Sequence, residues 1–120
     1  MADRVLFLSW GANVAGREER GMEVFNEALG LYGRMQQEGR IESFDVVLLT
    51  PSTGMDGYMQ LNGSAEQLAA VREDEEFQRV LIDATLIVED LALTDGYANA
   101  GIARQMEMYQ EAISKVPQQA

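Results

Sequence analysis

Side chains suited to chemistry are scarce in this sequence, and two kinds are missing altogether. There is no histidine and no cysteine among the 120 residues. That excludes a Ser/His/Asp triad in its usual form, an HExxH zinc motif, a thiolate nucleophile and any cysteine metal site. It also removes the commonest general base near neutral pH. What remains is carboxylate, tyrosine, arginine and amide chemistry. The candidates that share a context are Trp10, Tyr32, Tyr58 and Asn62. If the strands carrying residues 10 and 58–62 are neighbours, these four line one cavity, apolar-walled with a few oriented polar groups, as small-molecule sites usually are. The same aromatics also read as core that caps one end of a sheet. For a catalytic role, Tyr58 and Asn62 would orient a substrate and Asp45 would take its proton.

The other motifs are weaker. Gly11 and Gly16 have the spacing of a phosphate loop, but Arg17 and Glu18 stand where such a loop needs lysine and a hydroxyl residue, and Glu19 adds repulsion. Ordinary turn chemistry accounts for these glycines. Glu73, Asp74, Glu75 and Glu76 lack the alternating spacing and the glycine of a calcium loop, so they read as a solvated, helix-capping run. Glu89, Asp90 and Asp95 read the same way. No metal and no organic cofactor is expected. Arg17, Arg40 and Arg104 either meet an acidic ligand or neutralise acidic neighbours. Gly30 and Gly33 fall inside a helical stretch, where each costs about 1 kcal/mol relative to alanine. Close approach to a sheet, room for a ligand or simple packing would explain them. Met22, Met35, Met59 and Met106 suit either an adaptable pocket wall or plain core.

The length corresponds to one domain, residues 1–120, too short for a catalytic domain with a separate cofactor domain. A formal charge of -11, with 9 basic residues against 20 acidic, repels phosphate backbones and anionic membranes, so nucleic acid and membrane are not expected partners. The run Val5–Leu8 lacks the length and flanks of a signal peptide, and no stretch approaches the roughly 20 apolar residues of a membrane span. The expectation is a cytoplasmic protein, in a compartment where the absence of disulfides is no handicap.

The elements that must position these residues follow from hydrophobic spacing. Arg4–Trp10 is a β-prone strand, apolar on both parities. A helix over 17–38 carries apolar residues at 22, 25, 29 and 32, with a parallel set at 24, 28, 31 and 35, and Gly39 stops it. Ile41–Thr50 is a second strand, with Phe44, Val46 and Leu48 pointing one way and Asp45, Val47 and Leu49 the other. Pro51–Gly57 is a connection, and Tyr58–Asn62 a short third strand. Ser64 and Gln67 form a capping box for a second helix, interrupted near Asp74, which can cap a fresh turn before Phe77. Leu86–Leu93 resumes a strand pattern. Ile102, Met106, Tyr109 and Ile113 fall on one stripe of a C-terminal helix, about 99–116, that Pro117 ends.

The order β-α-β-β-α-β plus a helix predicts an α+β, ferredoxin-like antiparallel sheet, core about 4–96, with helices on a single face. Strands 1 and 2 are apolar on both sides, so the bare face needs a cover. A second copy of the chain, a homodimer, supplies it most completely. On this element order, on the two-faced strands and on the stretch from Gly57 to Leu81, the sequence resembles the dimeric α/β-barrel superfamily. The resemblance implies two sheets packed face to face and a ligand held between each sheet and its own helices. Members include cofactor-independent monooxygenases, lactone isomerases, haem-degrading enzymes, stress-responsive proteins and many chains of unknown function, so the fold alone chooses no activity. The haem-degrading branch uses a histidine ligand that this chain lacks. Three functions are compatible with the residues: a small-molecule-binding protein without cofactor, a cofactor-independent oxygenase or isomerase, and a protein-interaction module using the acidic surface and C-terminal helix.

Overall fold

A computed structural model describes residues 1–51 and 54–117. The expected connection over 51–57 includes residues 52 and 53, which lie outside the described residues. Strands β1 (Arg4–Trp10), β2 (Ser43–Leu48), β3 (Gly57–Gly63) and β4 (Ala92–Tyr97) form one sheet in the order β2-β3-β1-β4. Every neighbouring pair is antiparallel. Helix α1 (Glu18–Gln37) follows β1, helices α2 (Ala65–Glu73) and α3 (Glu75–Thr85) follow β3, and α4 (Ala100–Ser114) follows β4. This is the split β-α-β arrangement that the hydrophobic spacing predicts, with two helices in the second crossover.

The helix boundaries have local causes. Glu18 and Glu19 sit in the first turn of α1, and the Glu18 carboxylate accepts from the Gly16 N–H at 2.9 Å. At the other end Gly39 takes a φ of 73°, a left-handed conformation suited to glycine, and Arg40 N–H returns to the Met35 carbonyl at 2.8 Å. Ser64 and Gln67 make the reciprocal capping box of α2. Asp74 ends that helix and starts the next, its carboxylate accepting from Phe77 N–H at 2.9 Å. The predicted interruption is therefore a true break into two helices.

The core lies between the sheet and α1–α3. The set 24, 28, 31 and 35 of α1 is buried together with Tyr32, while Met22 is exposed. Opposite them stand Leu6 and Leu8 of β1, Met59 and Leu61 of β3, and the partly buried Phe44 and Val46 of β2 and Leu93 of β4. These positions face one another across the ladder: Leu8 pairs with Met59 and Leu93, Leu6 with Leu61, and Phe44 with Leu61. The alternate positions, among them Val5, Phe7, Asp45, Val47, Tyr58, Gln60 and Asn62, occupy the face that α1–α3 leave uncovered.

Two expectations need correction. The last strand runs over Ala92–Tyr97 rather than Leu86–Leu93. Ile87 is instead buried in the core, and residues 87–89 pair with the loop after β1 through Val14 N–H to Ile87 O at 2.9 Å and Glu89 N–H to Ala12 O at 2.8 Å. Asp90, at a φ of 55°, then turns the chain into the real strand. The apolar run reports a buried connection, whereas β4 is an edge strand containing Thr94, Asp95 and Gly96 that propensity underrates. Gly30 and Gly33 make no close approach to the sheet: a methyl at Gly30 would meet only the Arg34 side chain and one at Gly33 nothing, so nothing in the structure explains them.

Helix α4 stands away from this body. Its packing within the chain is on β4 and the N-terminal residues, where Gly101 comes so close to the Asp3 carbonyl that a Cβ would lie 2.3 Å from the oxygen. Beyond that anchor Ile102, Met106 and Tyr109 are 51%, 49% and 61% exposed on one stripe. The Cα radius of gyration, 17.2 Å, reflects this extension; a compact chain of this length has about 14 Å.

Candidate functional site

Between the sheet and the pair α1 and α3 lies a cavity of about 440 Å³, open on one side. Its floor is Leu8 and Trp10 of β1 with Met59 of β3, its roof is Val24, Phe25, Ala28 and Tyr32 of α1 with Val80, Leu81 and Ala84 of α3, and Ile87 and Val88 close one wall. Exposed Met22 and Leu48 stand at the mouth with Asn13 and Asn26. None of the described residues lining it carries a charge, in a chain with 29 charged residues by the sum of 9 basic and 20 acidic.

Each wall is fixed by a separate device. The Trp10 indole lies across Gly57, where an added Cβ would stand 2.7 Å from the ring and 2.8 Å from the Val47 carbonyl. Only a residue without a side chain leaves the indole flat on the strand, and the ring then meets Phe25 edge-on, centroids 6.2 Å apart. Tyr32 is 2% exposed and flanked by Phe44 and Phe77, with centroids at 6.0 and 6.3 Å. Burial pushes its phenol well above the ordinary tyrosine range, so the group is a neutral donor at any physiological pH. Outside the cavity α1 and α3 are tied by Arg20 to Asp83 at 3.1 Å and by Arg34 to Glu76. Hydrogen bonding to Glu27, with further help from Glu23 and Asp83, holds the Arg20 guanidinium above its usual value.

The structure divides the four residues read together in the sequence. Trp10 and Tyr32 line the cavity; Tyr58 and Asn62 stand on the opposite face of the sheet. The reason is register. Trp10 pairs with Gly57 and Leu8 with Met59, so the odd positions of β3 share the even side of β1, and Tyr58 and Asn62 are even. A correction follows for the shared cavity: it takes Met59 where Tyr58 was expected. The three catalytic candidates do come onto one face. Asn62 Nδ2 donates to Asp45 Oδ2 and to Ser43 Oγ, each at 3.1 Å, and accepts from Gln60 Nε2 at 2.9 Å. Tyr58 stacks obliquely on Phe7 at 4.8 Å. None of them reaches the cavity, which lies on the other side of the sheet.

The remaining motifs are absorbed by structure. Gly16 N–H is occupied by Glu18, so the loop before α1 presents that carboxylate where a phosphate would need a free amide. Arg17 donates to the Leu86 carbonyl at 2.6 Å, and Arg40 pairs with Asp74 at 2.7 Å. The Phe77 N–H, and after it the Arg40 guanidinium, hold the Asp74 carboxyl below the usual range. Glu75 pairs with Arg79 one turn on. Among the described residues no cluster of three acidic side chains is arranged to hold a metal ion, and no helix is long and apolar enough to cross a membrane.

Sequence reasoning missed most of the cavity lining. Val80, Leu81 and Ala84 of α3 read as the apolar side of a helix and Ile87–Val88 as part of a strand, and neither pattern distinguishes a filled core from a cavity wall.

No family model and no curated protein matches the chain. Among solved structures the chain is similar to a dimeric protein of unknown function and ferredoxin-like fold from Bacteroides fragilis. The two are 12% identical with a TM-score of 0.59, and the match covers 79% of this chain and 96% of that one. At that identity the likeness is one of architecture, and it agrees with the strand order: the chain has a ferredoxin-like fold, built among the described residues of a four-stranded antiparallel sheet and four helices.

Proposed function

We propose that this protein binds a small, largely apolar molecule between its sheet and the helices α1 and α3, without metal or organic cofactor, and does so as a homodimer. The observation that carries the binding reading is the cavity itself. It is about 440 Å³ of space walled by aliphatic and aromatic side chains and open to solvent, within the range of small-molecule sites. Left without an occupant, those apolar walls face water, and an apolar molecule seated between them gains the burial that the helices and sheet do not supply.

The homodimer rests on surface that the chain leaves uncovered. Val5, Phe7, Val47 and Tyr58 are half-buried on the open face of the sheet, and of the strand residues on that side only Asp45 carries a formal charge. The α4 stripe of Ile102, Met106 and Tyr109 is a second apolar surface. Arg104 and Lys115, the latter just past the last turn, balance Glu107 and Glu111, which leaves residues 100–115 neutral on a chain of net charge -11. Two such acidic bodies repel one another except where charge is sparse, and those two surfaces are where it is sparse. The Bacteroides fragilis protein of the same fold is itself described as dimeric.

Nile red, a neutral apolar dye, tests the site. Its emission should rise on titration, saturating at one dye per chain, and Ala84→Phe, which fills the cavity, should weaken binding at least tenfold while the thermal midpoint is held or raised. A wild-type protein that gives no saturable signal, or an Ala84→Phe variant that binds as well as wild type, overturns the reading.

A further inference from the structure

The polar groups inside the cavity define which apolar molecule would fit, an inference that rests on the cavity being a binding site. Tyr32 is 2% exposed, and no hydrogen bond to its hydroxyl is formed by any described residue. Its flanks are the rings of Phe44 and Phe77, which offer no acceptor. Yet among the described residues no fully buried side-chain nitrogen or oxygen lacks a partner. The hydroxyl is therefore not sealed in protein, and the open space that Tyr32 lines is the cavity.

Three classes of occupant meet this arrangement differently. An ion gives up its hydration and receives no opposite charge, because no described lining residue is charged. A pure hydrocarbon fills the space but leaves the phenol O–H facing carbon, unpaired in a dry site. A neutral molecule with one oxygen acceptor fills the space and takes that hydrogen bond. A buried polar group discriminates best against the analogue that leaves it unsatisfied, by more than an apolar wall discriminates on shape.

We infer that Tyr32 is the specificity-determining donor of the cavity and that its ligand is an uncharged aromatic or alicyclic compound bearing a carbonyl or similar oxygen acceptor. The phenol binds and orients; nothing in its surroundings makes it a base, and burial keeps its proton on.

Calorimetry with three compounds of one ring system tests this: naphthalene, 2-acetylnaphthalene and ionised 2-naphthoate. For the wild type, 2-acetylnaphthalene should bind about tenfold more tightly than naphthalene, and naphthoate should bind weakest. In Tyr32→Phe the ketone should lose that advantage while naphthalene binds at least as well as before. Equal affinity for ketone and hydrocarbon in the wild type, or a preference that survives Tyr32→Phe, overturns the assignment and leaves the cavity as a site for apolar molecules. Failure of all three to bind the wild type removes the site itself. Should Tyr32→Phe not fold, the carbonyl stretch of bound, 13C-labelled 2-acetylnaphthalene decides: a shift below its frequency in hydrocarbon solvent supports the bond, and an unshifted band overturns it.

Discussion

The two faces of the sheet are built from the same four strands and could hardly differ more in content. On the helix side β3 presents Gly57, Met59, Leu61 and Gly63, all buried, against an uncharged, partly empty interior. On the other side the same strand presents Tyr58, Gln60 and Asn62, linked to Ser43 and Asp45 by side-chain hydrogen bonds and to Phe7 by ring contact. One face is suited to enclosing a small object, the other to meeting a broad surface that is part polar and part apolar. Alternation along a strand thus gives one layer two different tasks without any insertion in the chain.

That contrast can be broken by substitution on either side. The largest effect is expected from Phe7→Asp, which puts a carboxylate in the middle of the open face: the dissociation constant of the proposed dimer should rise at least about a hundredfold, read by light scattering as a 13.3 kDa species, while Nile red affinity stays unchanged. A variant that keeps the wild-type mass would place the dimer contact elsewhere. Gly57→Ala acts at the boundary, since its methyl collides with the Trp10 ring on one side and the Val47 carbonyl nearby. It should cost about 1–3 kcal/mol in denaturant unfolding and weaken dye binding, because the indole forms the cavity floor.

Asp74→Ala touches neither face and calibrates both. Loss of the cap should cost about 1 kcal/mol near neutral pH, with mass and dye affinity unaltered. Because the folded carboxyl titrates below its unfolded value, its contribution is complete above the unfolded pKa of about 3.9 and fades as pH falls through the folded value. The gap between wild type and variant should therefore be constant from about pH 5 upward and close in more acidic solution. A gap that widened in acid would contradict the capping role.

Much of this architecture is legible before any coordinates. The first strand is bounded by its own composition, the capping box by Ser64 and Gln67, and the break between α2 and α3 by Asp74, all of them local signals spanning a few residues. The candidate site was only half legible for a reason equally physical. Whether Trp10 shares a face with Tyr58 or with Met59 depends on strand register, which is set by pairing between β1 and β3 some fifty residues apart and moves every side chain to the other face with a one-residue slip. Ile87 misled in the same manner: its apolar neighbours look like a strand because a buried connection and a buried strand have the same composition.

A neutral arm on a strongly acidic body also sets how the molecule answers to its solution. Added electrolyte screens the repulsion between bodies over distances beyond roughly 8–10 Å but would take nothing from contacts that Ile102, Met106 and Tyr109 make in the proposed dimer, since the burial of apolar groups is driven by water. Self-association through α4, as proposed, should thus tighten as ionic strength rises, the opposite of an assembly held by ion pairs, and be weakest in dilute buffer.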